Sequence, residues 1–192
     1  NSLPKYCDLI PMPKQIYKRM LPDLVRQAKS WTDKNKKLTT AIVHLLEKKA
    51  IPELIQINNK IREKPADTAS FLTEFLSSAD GIALSLQGPP GTGKTTVTGE
   101  LIARLIDKNQ SIVVSSQTHE AINNLLKSVQ RNAQSLSSTP FVVKLSSGTS
   151  EKSDQRSLSG TKVQALREND LNSKPNVLGA TVFSLVKERF GE

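Results

Sequence analysis

The sequence predicts an α/β fold, a parallel sheet wrapped by helices and preceded by an α-helical segment. Three observations predict it. Short apolar runs of strand length recur at Ile82–Leu86, Ile112–Ser116, Phe141–Leu145 and Asn176–Thr181. Segments with helical spacing alternate with them: Thr96–Ile106, with Val97, Leu101, Leu105 and Ile106 on one face, and a stretch carrying Ala121, Ile122, Leu125 and Leu126. Between the first strand and the first helix lies a glycine turn, Gly88-Pro89-Pro90-Gly91-Thr92-Gly93-Lys94-Thr95. Strand, helix, strand in this order requires a right-handed crossover and therefore parallel pairing.

The elements follow in order. Pro4, Pro11 and Pro13 mark an extended lead-in. From Lys14 the spacing turns helical through Tyr17, Leu21, Leu24, Val25 and Ala28, with Pro22 starting or kinking that helix. Lys34-Asn35-Lys36-Lys37 is a polar break. Leu38–Arg62 reads as one or two helices with a restart at Pro52. Lys64-Pro65-Ala66-Asp67 is a linker, after which Asp67 or Thr68 caps a helix carrying Phe71, Leu72, Phe75 and Leu76. The boundary therefore falls near residue 66: a basic helical segment over 1–66 and the sheet domain over 67–192. Residues 146–160 are Ser/Gly-rich and charged and read as a mobile loop. Thr161–Leu171 reads as weakly helical.

The chain has 192 residues and a formal charge of +9. Residues 1–64 hold 14 Lys+Arg against 6 Asp+Glu, and residues 65–192 hold 13 against 12. The basic character belongs to the N-terminal third, where phosphate-rich partners would be drawn. Trp31 and Tyr17 lie among these charges, placed either for core packing or for stacking on bases. A lone cysteine, Cys7, cannot form an internal disulfide, which fits a reducing, cytoplasmic compartment. No apolar run approaches the roughly 20 residues of a membrane span. The N-terminus carries no signal pattern and no initiator Met, as expected of a piece of a longer protein.

The glycine turn matches G-x-x-x-x-G-K-[ST] at every fixed position. Glycines let the backbone curl so that successive N–H groups converge on phosphate oxygens. The following helix adds the positive end of its dipole. Gly88, Pro89, Pro90, Gly91, Thr92, Gly93, Lys94, Thr95 and Thr96 thus form a candidate nucleoside-triphosphate cradle. Lys94 would reach the β- and γ-phosphates, and the Thr95 hydroxyl would hold Mg²⁺. After the second strand a polar cluster, Gln117-Thr118-His119-Glu120, opens a helix. In open α/β sheets ligands sit at such carboxyl ends of strands.

Gln87–Thr95, Ser116–Leu125 and Val177–Thr181, taken together, resemble three successive motifs of a superfamily 1 helicase, in the branch similar to the nonsense-mediated-decay RNA helicases. The resemblance covers about residues 68–185. It implies a P-loop NTPase of RecA-like fold, ATP and Mg²⁺ as cofactors, and single-stranded DNA or RNA as partner. It also implies that Thr118, His119 and Thr181 contact the nucleic-acid backbone. His119 stands where the family has asparagine. The His-containing motif is similar, too, to bacterial proteins that join a RecB-like nuclease to such a motor, so a nuclease domain elsewhere in the parent chain is an implied partner.

The chain departs from the family pattern in two places. The helix Thr68–Ser78 contains no glutamine to read adenine, and no hydrophobic strand ends in the Asp-Glu pair that fixes Mg²⁺ and the attacking water. The expectation is an incomplete sheet with an open edge, and a chain that does not turn over ATP at a motor's rate. Two other readings fit the loop: an AAA+ ATPase, and a non-catalytic module binding nucleotide or nucleic acid.

Overall fold

The computed structural model describes residues 52–78, 84–136, 139–146 and 150–185. The lead-in and the helices expected before Ile51 lie outside the described residues. Six helices and four strands are present among those described. They are α1 (Pro52–Glu63), α2 (Thr68–Ser78), α3 (Lys94–Asp107), β1 (Ile112–Ser116), α4 (His119–Asn132), β2 (Val142–Leu145), α5 (Glu151–Ser157), β3 (Gln164–Leu166), β4 (Val177–Thr181) and α6 (Val182–Leu185). The strands form one sheet in the order β1-β4-β2-β3, and every pairing is parallel. This is a partial RecA-like P-loop fold, as the sequence predicts. None of the described helices is long and apolar enough to cross a membrane.

Strand alternation sorts the apolar residues into two faces. Val114, Val142 and Val177 point to one face, where Ile102 and Ile106 of α3 and Ile122, Leu126 and Val129 of α4 close over them. Val143, Leu145 and Ala180 point to the other face, against Phe141, Leu166, Leu171, Leu178 and Leu185. A separate cluster of Ala69, Leu72, Leu101 and Leu105 joins α2 to α3, with Ile57 and Ile61 of α1 packed on it. The restart at Pro52 and the helix from Thr68 are thus both present; α2 buries one side, whereas α1 has no buried residue and rests on the cluster through half-buried Ile57 and Ile61. The Thr68 hydroxyl donates to the Pro65 carbonyl at 2.6 Å, holding the short turn before α2.

Gly179 in β4 has a steric reason. A Cβ there would come within 2.7 Å of Leu126 Cδ1 and 2.8 Å of Ile122 Cγ2. The glycine lets α4 lie flat on the centre of the sheet.

Three expectations need correction. Of the expected strand Ile82–Leu86, only Leu84–Leu86 falls among the described residues, and it is irregular. A strand needs a ladder neighbour, and none of the described strands pairs with it. Leu84 packs instead on the α2–α3 cluster, and Leu86 is 40% exposed. The stretch 146–160, expected as a loop, contains α5, whose Asp154 is buried. Partners outside α5, Asn123 and Ser146, hold this acid inside and order the stretch. The weak helix expected over Thr161–Leu171 is a short strand, β3, followed by a 3₁₀ turn at Glu168–Asp170. Pairing with Val143, Lys144 and Leu145 overrides its local propensity.

Candidate functional site

The glycine turn folds as a phosphate cradle would. Gly91 and Gly93 have φ of 82° and 79°, in the left-handed region that side chains avoid. At Gly88 a Cβ would come within 2.8 Å of Thr92 Oγ1. Gly93 caps α3, which begins at Lys94, so the first-turn amides of Lys94, Thr95 and Thr96 have no intrahelical partner. Thr95 and Thr96 are exposed at this end. Lys94 Nζ reaches back over the turn and donates to the Gly88 and Pro89 carbonyls, each at 2.6 Å. These residues fit the phosphate end of a nucleoside triphosphate: a ring of donors, an ammonium and a helix N-terminus. For Mg²⁺ the turn would offer one ligand, the exposed Thr95 hydroxyl. No group of three or more His, Cys, Asp or Glu side chains could hold a metal among the described residues.

The other predicted residues gather at the same edge of the sheet. α3 runs back from the turn and β1 returns, so the turn and the end of β1 share an edge. Ser116, the last residue of β1, pairs with Thr181, the last of β4. Thr118 follows two residues later and caps α4, its Oγ1 accepting from the Ala121 amide at 3.3 Å. Its hydroxyl is exposed and keeps its own hydrogen free to donate. Thr181 is buried, 5% exposed. Its Oγ1 accepts from the Ser184 amide at 3.3 Å and lies 3.0 Å from Ser184 Oγ. The structure therefore brings Thr118, His119 and Thr181 to one edge, with Thr181 beneath the surface and Thr118 on it.

His119, the first residue of α4, faces inward on one side of its ring. Its Nδ1 lies 3.2 Å from Lys144 Nζ and 3.3 Å from Asp154 Oδ2. Lys144 is fully buried on β2, and its Nζ also donates to the Leu145 carbonyl and lies 3.5 Å from Asp154 Oδ2. Asp154, on α5, accepts from Asn123 Nδ2 at 3.0 Å and from Ser146 Oγ at 2.7 Å. Burial pushes the Lys144 ammonium below its ordinary value, and the Asp154 charge only partly restores it. Burial would push the Asp154 carboxyl up. The hydrogen bonds from Asn123 and Ser146, with the charges of Lys144 and His119, outweigh it and hold the group below the usual carboxylate value. Asn123 Oδ1, also buried, has no partner among the described residues.

Sequence reasoning missed Lys144, Asp154, Asn123 and Ser146. One signal was available: a lysine inside the apolar run Phe141-Val142-Val143-Lys144-Leu145, in phase with the inward-facing Val142.

Residues 66–188 match the model of an AAA domain family, AAA_11. A stretch of 48 residues is 46% identical to the DNA replication ATP-dependent helicase/nuclease DNA2 of Saccharomyces cerevisiae. That stretch is 25% of this chain and 3% of that protein. No solved structure matches the chain.

Proposed function

The chain belongs to the AAA_11 family of AAA domains and is a superfamily 1 helicase-like region of a nucleic-acid motor, and from that premise we propose that it binds ATP–Mg²⁺ at Gly88–Thr96 and grips a single strand at the neighbouring sheet edge. In the whole protein the two would be coupled, so that hydrolysis drives movement along the strand. The observation that carries this reading is the register of β1 on β4. It sets Ser116 against Thr181 and so gathers Thr118, His119 and Thr181 at the edge where the phosphate turn also lies.

Each residue has a role in the proposal. Backbone donors of the turn orient the triphosphate, and Lys94 leaves the Gly88 and Pro89 carbonyls to neutralise its terminal charge. Thr95 would hold Mg²⁺, which would supply neutralisation of the triphosphate's charge. Thr118 donates to a backbone phosphate from the surface, and Thr181 acts from beneath through its hydroxyl, which is hydrogen-bonded to the Ser184 hydroxyl. Contacts to phosphate grip without reading sequence, as a translocating motor requires. The matched helicase/nuclease is named for DNA replication, which supports DNA over RNA as the strand and supports proposing a nuclease domain elsewhere in the parent chain. The same match favours the helicase branch over an AAA+ ATPase.

The test is paired binding of an ATP analogue and a single-stranded oligonucleotide. Thr118→Ala should weaken the oligonucleotide alone, and Lys94→Ala the nucleotide alone. Loss of neither ligand in either variant overturns the proposal. A second reading, a binding module without hydrolysis, is favoured by one observation: none of the four described strands ends in paired carboxylates. Steady-state turnover of about 1 s⁻¹ or more with saturating single strand, the low end of ordinary enzymes, would exclude it for this chain.

A further inference from the structure

We infer that Lys144 is a positioning residue for His119: with Asp154 it fixes the imidazole so that Nδ1 accepts inside the protein and Nε2–H is presented at the strand-end edge as a phosphate donor beside Thr118. This rests on the proposed grip at that edge and adds to it how one contact is oriented and by which buried residues.

The argument is an account of hydrogens. A lysine ammonium has three donors and no acceptor. Lys144 is fully buried, so each donor left unpaired is costly. Within reach of Nζ are the Leu145 carbonyl, His119 Nδ1 and Asp154 Oδ2. Three hydrogens meet three acceptors only if Nδ1 carries a lone pair, which puts the ring proton on Nε2. Asp154 does not require the opposite arrangement. Asn123 donates to its Oδ1 and Ser146 to its Oδ2, and Lys144 supplies the charge. A proton on Nδ1 would leave one Lys144 hydrogen facing a donor.

The geometry delivers the ring to the surface. His119 sits on the first turn of α4, one residue past the Thr118 cap, and its side chain is 34% exposed. With Nδ1 turned inward, that exposure falls on the Nε2 edge. Lys144 pairs in register with Gly179 of β4, and both face α4. The absence of a side chain at Gly179 brings α4 down onto the sheet, which puts the first turn of α4 within reach of the buried ammonium. A neutral histidine can then serve as a donor without gaining charge.

The chain contains two histidines, His44 and His119. Long-range ¹⁵N–¹H spectra of the 192-residue chain, with His44→Gln to assign the signals, should show His119 in the Nε2–H form at mildly alkaline pH. Lys144→Met should convert it to a mixture or to the Nδ1–H form. Binding of a labelled single-stranded oligothymidylate should fall about tenfold in both His119→Ala and Lys144→Met, the loss of one hydrogen bond to a charged group. The double variant should be no weaker than either. Nδ1–H in the wild type overturns the inference, and decides it alone if Lys144→Met does not fold. Weakened binding in His119→Ala with wild-type binding in Lys144→Met also overturns it, while leaving the proposed grip intact. Wild-type binding in His119→Ala removes His119 from the grip and the inference with it. Thr118→Ala then shows whether the grip itself survives.

Discussion

Gly99 of α3 lies directly against Ser128 of α4. A Cβ at position 99 would come within 2.7 Å of Ser128 Cβ and 2.9 Å of its carbonyl carbon. Both residues are buried, and the second obstacle is backbone. Alanine would favour the helix by under about 1 kcal/mol, but overpacking a tight contact costs about 1–3 kcal/mol. Gly99→Ala should therefore lower stability by roughly 1–2 kcal/mol. Equilibrium urea unfolding measures it, and an unchanged midpoint would mean that α3 and α4 can separate freely.

Lys94→Ala should weaken binding of an ATP analogue about ten- to hundredfold, the worth of one charge-assisted hydrogen bond of 1.5–3 kcal/mol. Thr95→Ala should chiefly abolish the Mg²⁺ dependence of that binding. Titration calorimetry with and without Mg²⁺ separates the two. Mg²⁺-independent binding in the wild type would contradict the role given to Thr95.

Stability should fall on acidification, and Asp154 should account for part of the fall. Its folded value lies below the ordinary 3.8, so between the two the unfolded chain binds more protons, and stability rises with pH. The contribution is present above the ordinary carboxylate range and is lost as pH drops through the folded value. Lys144 acts in the same sense at the alkaline end. Its folded value lies below 10.5, so the unfolded chain again holds more protons, and stability rises as pH climbs through that window. Asp154→Asn should cost roughly 3–5 kcal/mol at neutral pH, because it leaves a buried ammonium unpaired. The variant should also show a shallower loss on acidification. Thermal midpoints across the pH range check both, and a parallel acid limb in the variant would remove Asp154 from the account.

Oligonucleotide binding should weaken steeply with salt, and deleting residues 1–64 should flatten that slope. The deleted segment holds 14 Lys+Arg against 6 Asp+Glu, and each phosphate neutralised contributes about one unit of slope. Fluorescence anisotropy over a salt series gives the number. An equal slope in the shortened chain would assign the segment to surface solvation.

Much of this fold can be read from residues that obey one rule at a time. Ile112–Ser116 is a strand because its apolar run has the right length between helix-period neighbours, and the structure gives the same bounds. The glycine turn is legible because its chemistry is local, fixed by Gly91, Gly93 and the start of α3. What escaped is set by distant partners. Asp154 looks like a surface acid in a polar stretch, and nothing nearby in sequence shows that Asn123 and Lys144 will meet it, one on a helix 31 residues before and one on β2. Gln164–Leu166 becomes strand only because β2 is there to pair with it. Leu84–Leu86 has the converse history, strand-like in composition but without a described neighbour.

β1 has β4 on one side and no described strand on the other, and its Val113 is 60% exposed. Along a parallel strand alternate amides point to opposite neighbours. Those of β1 that face β4 are locked into the ladder, whereas those facing outward have no strand partner among the described residues. One five-residue strand should therefore give two populations in deuterium labelling, one slow and one fast, interleaved residue by residue. Whatever later occupies that side, a strand of the same polypeptide or of another molecule, would announce itself by slowing the fast set and leaving the slow set as it is.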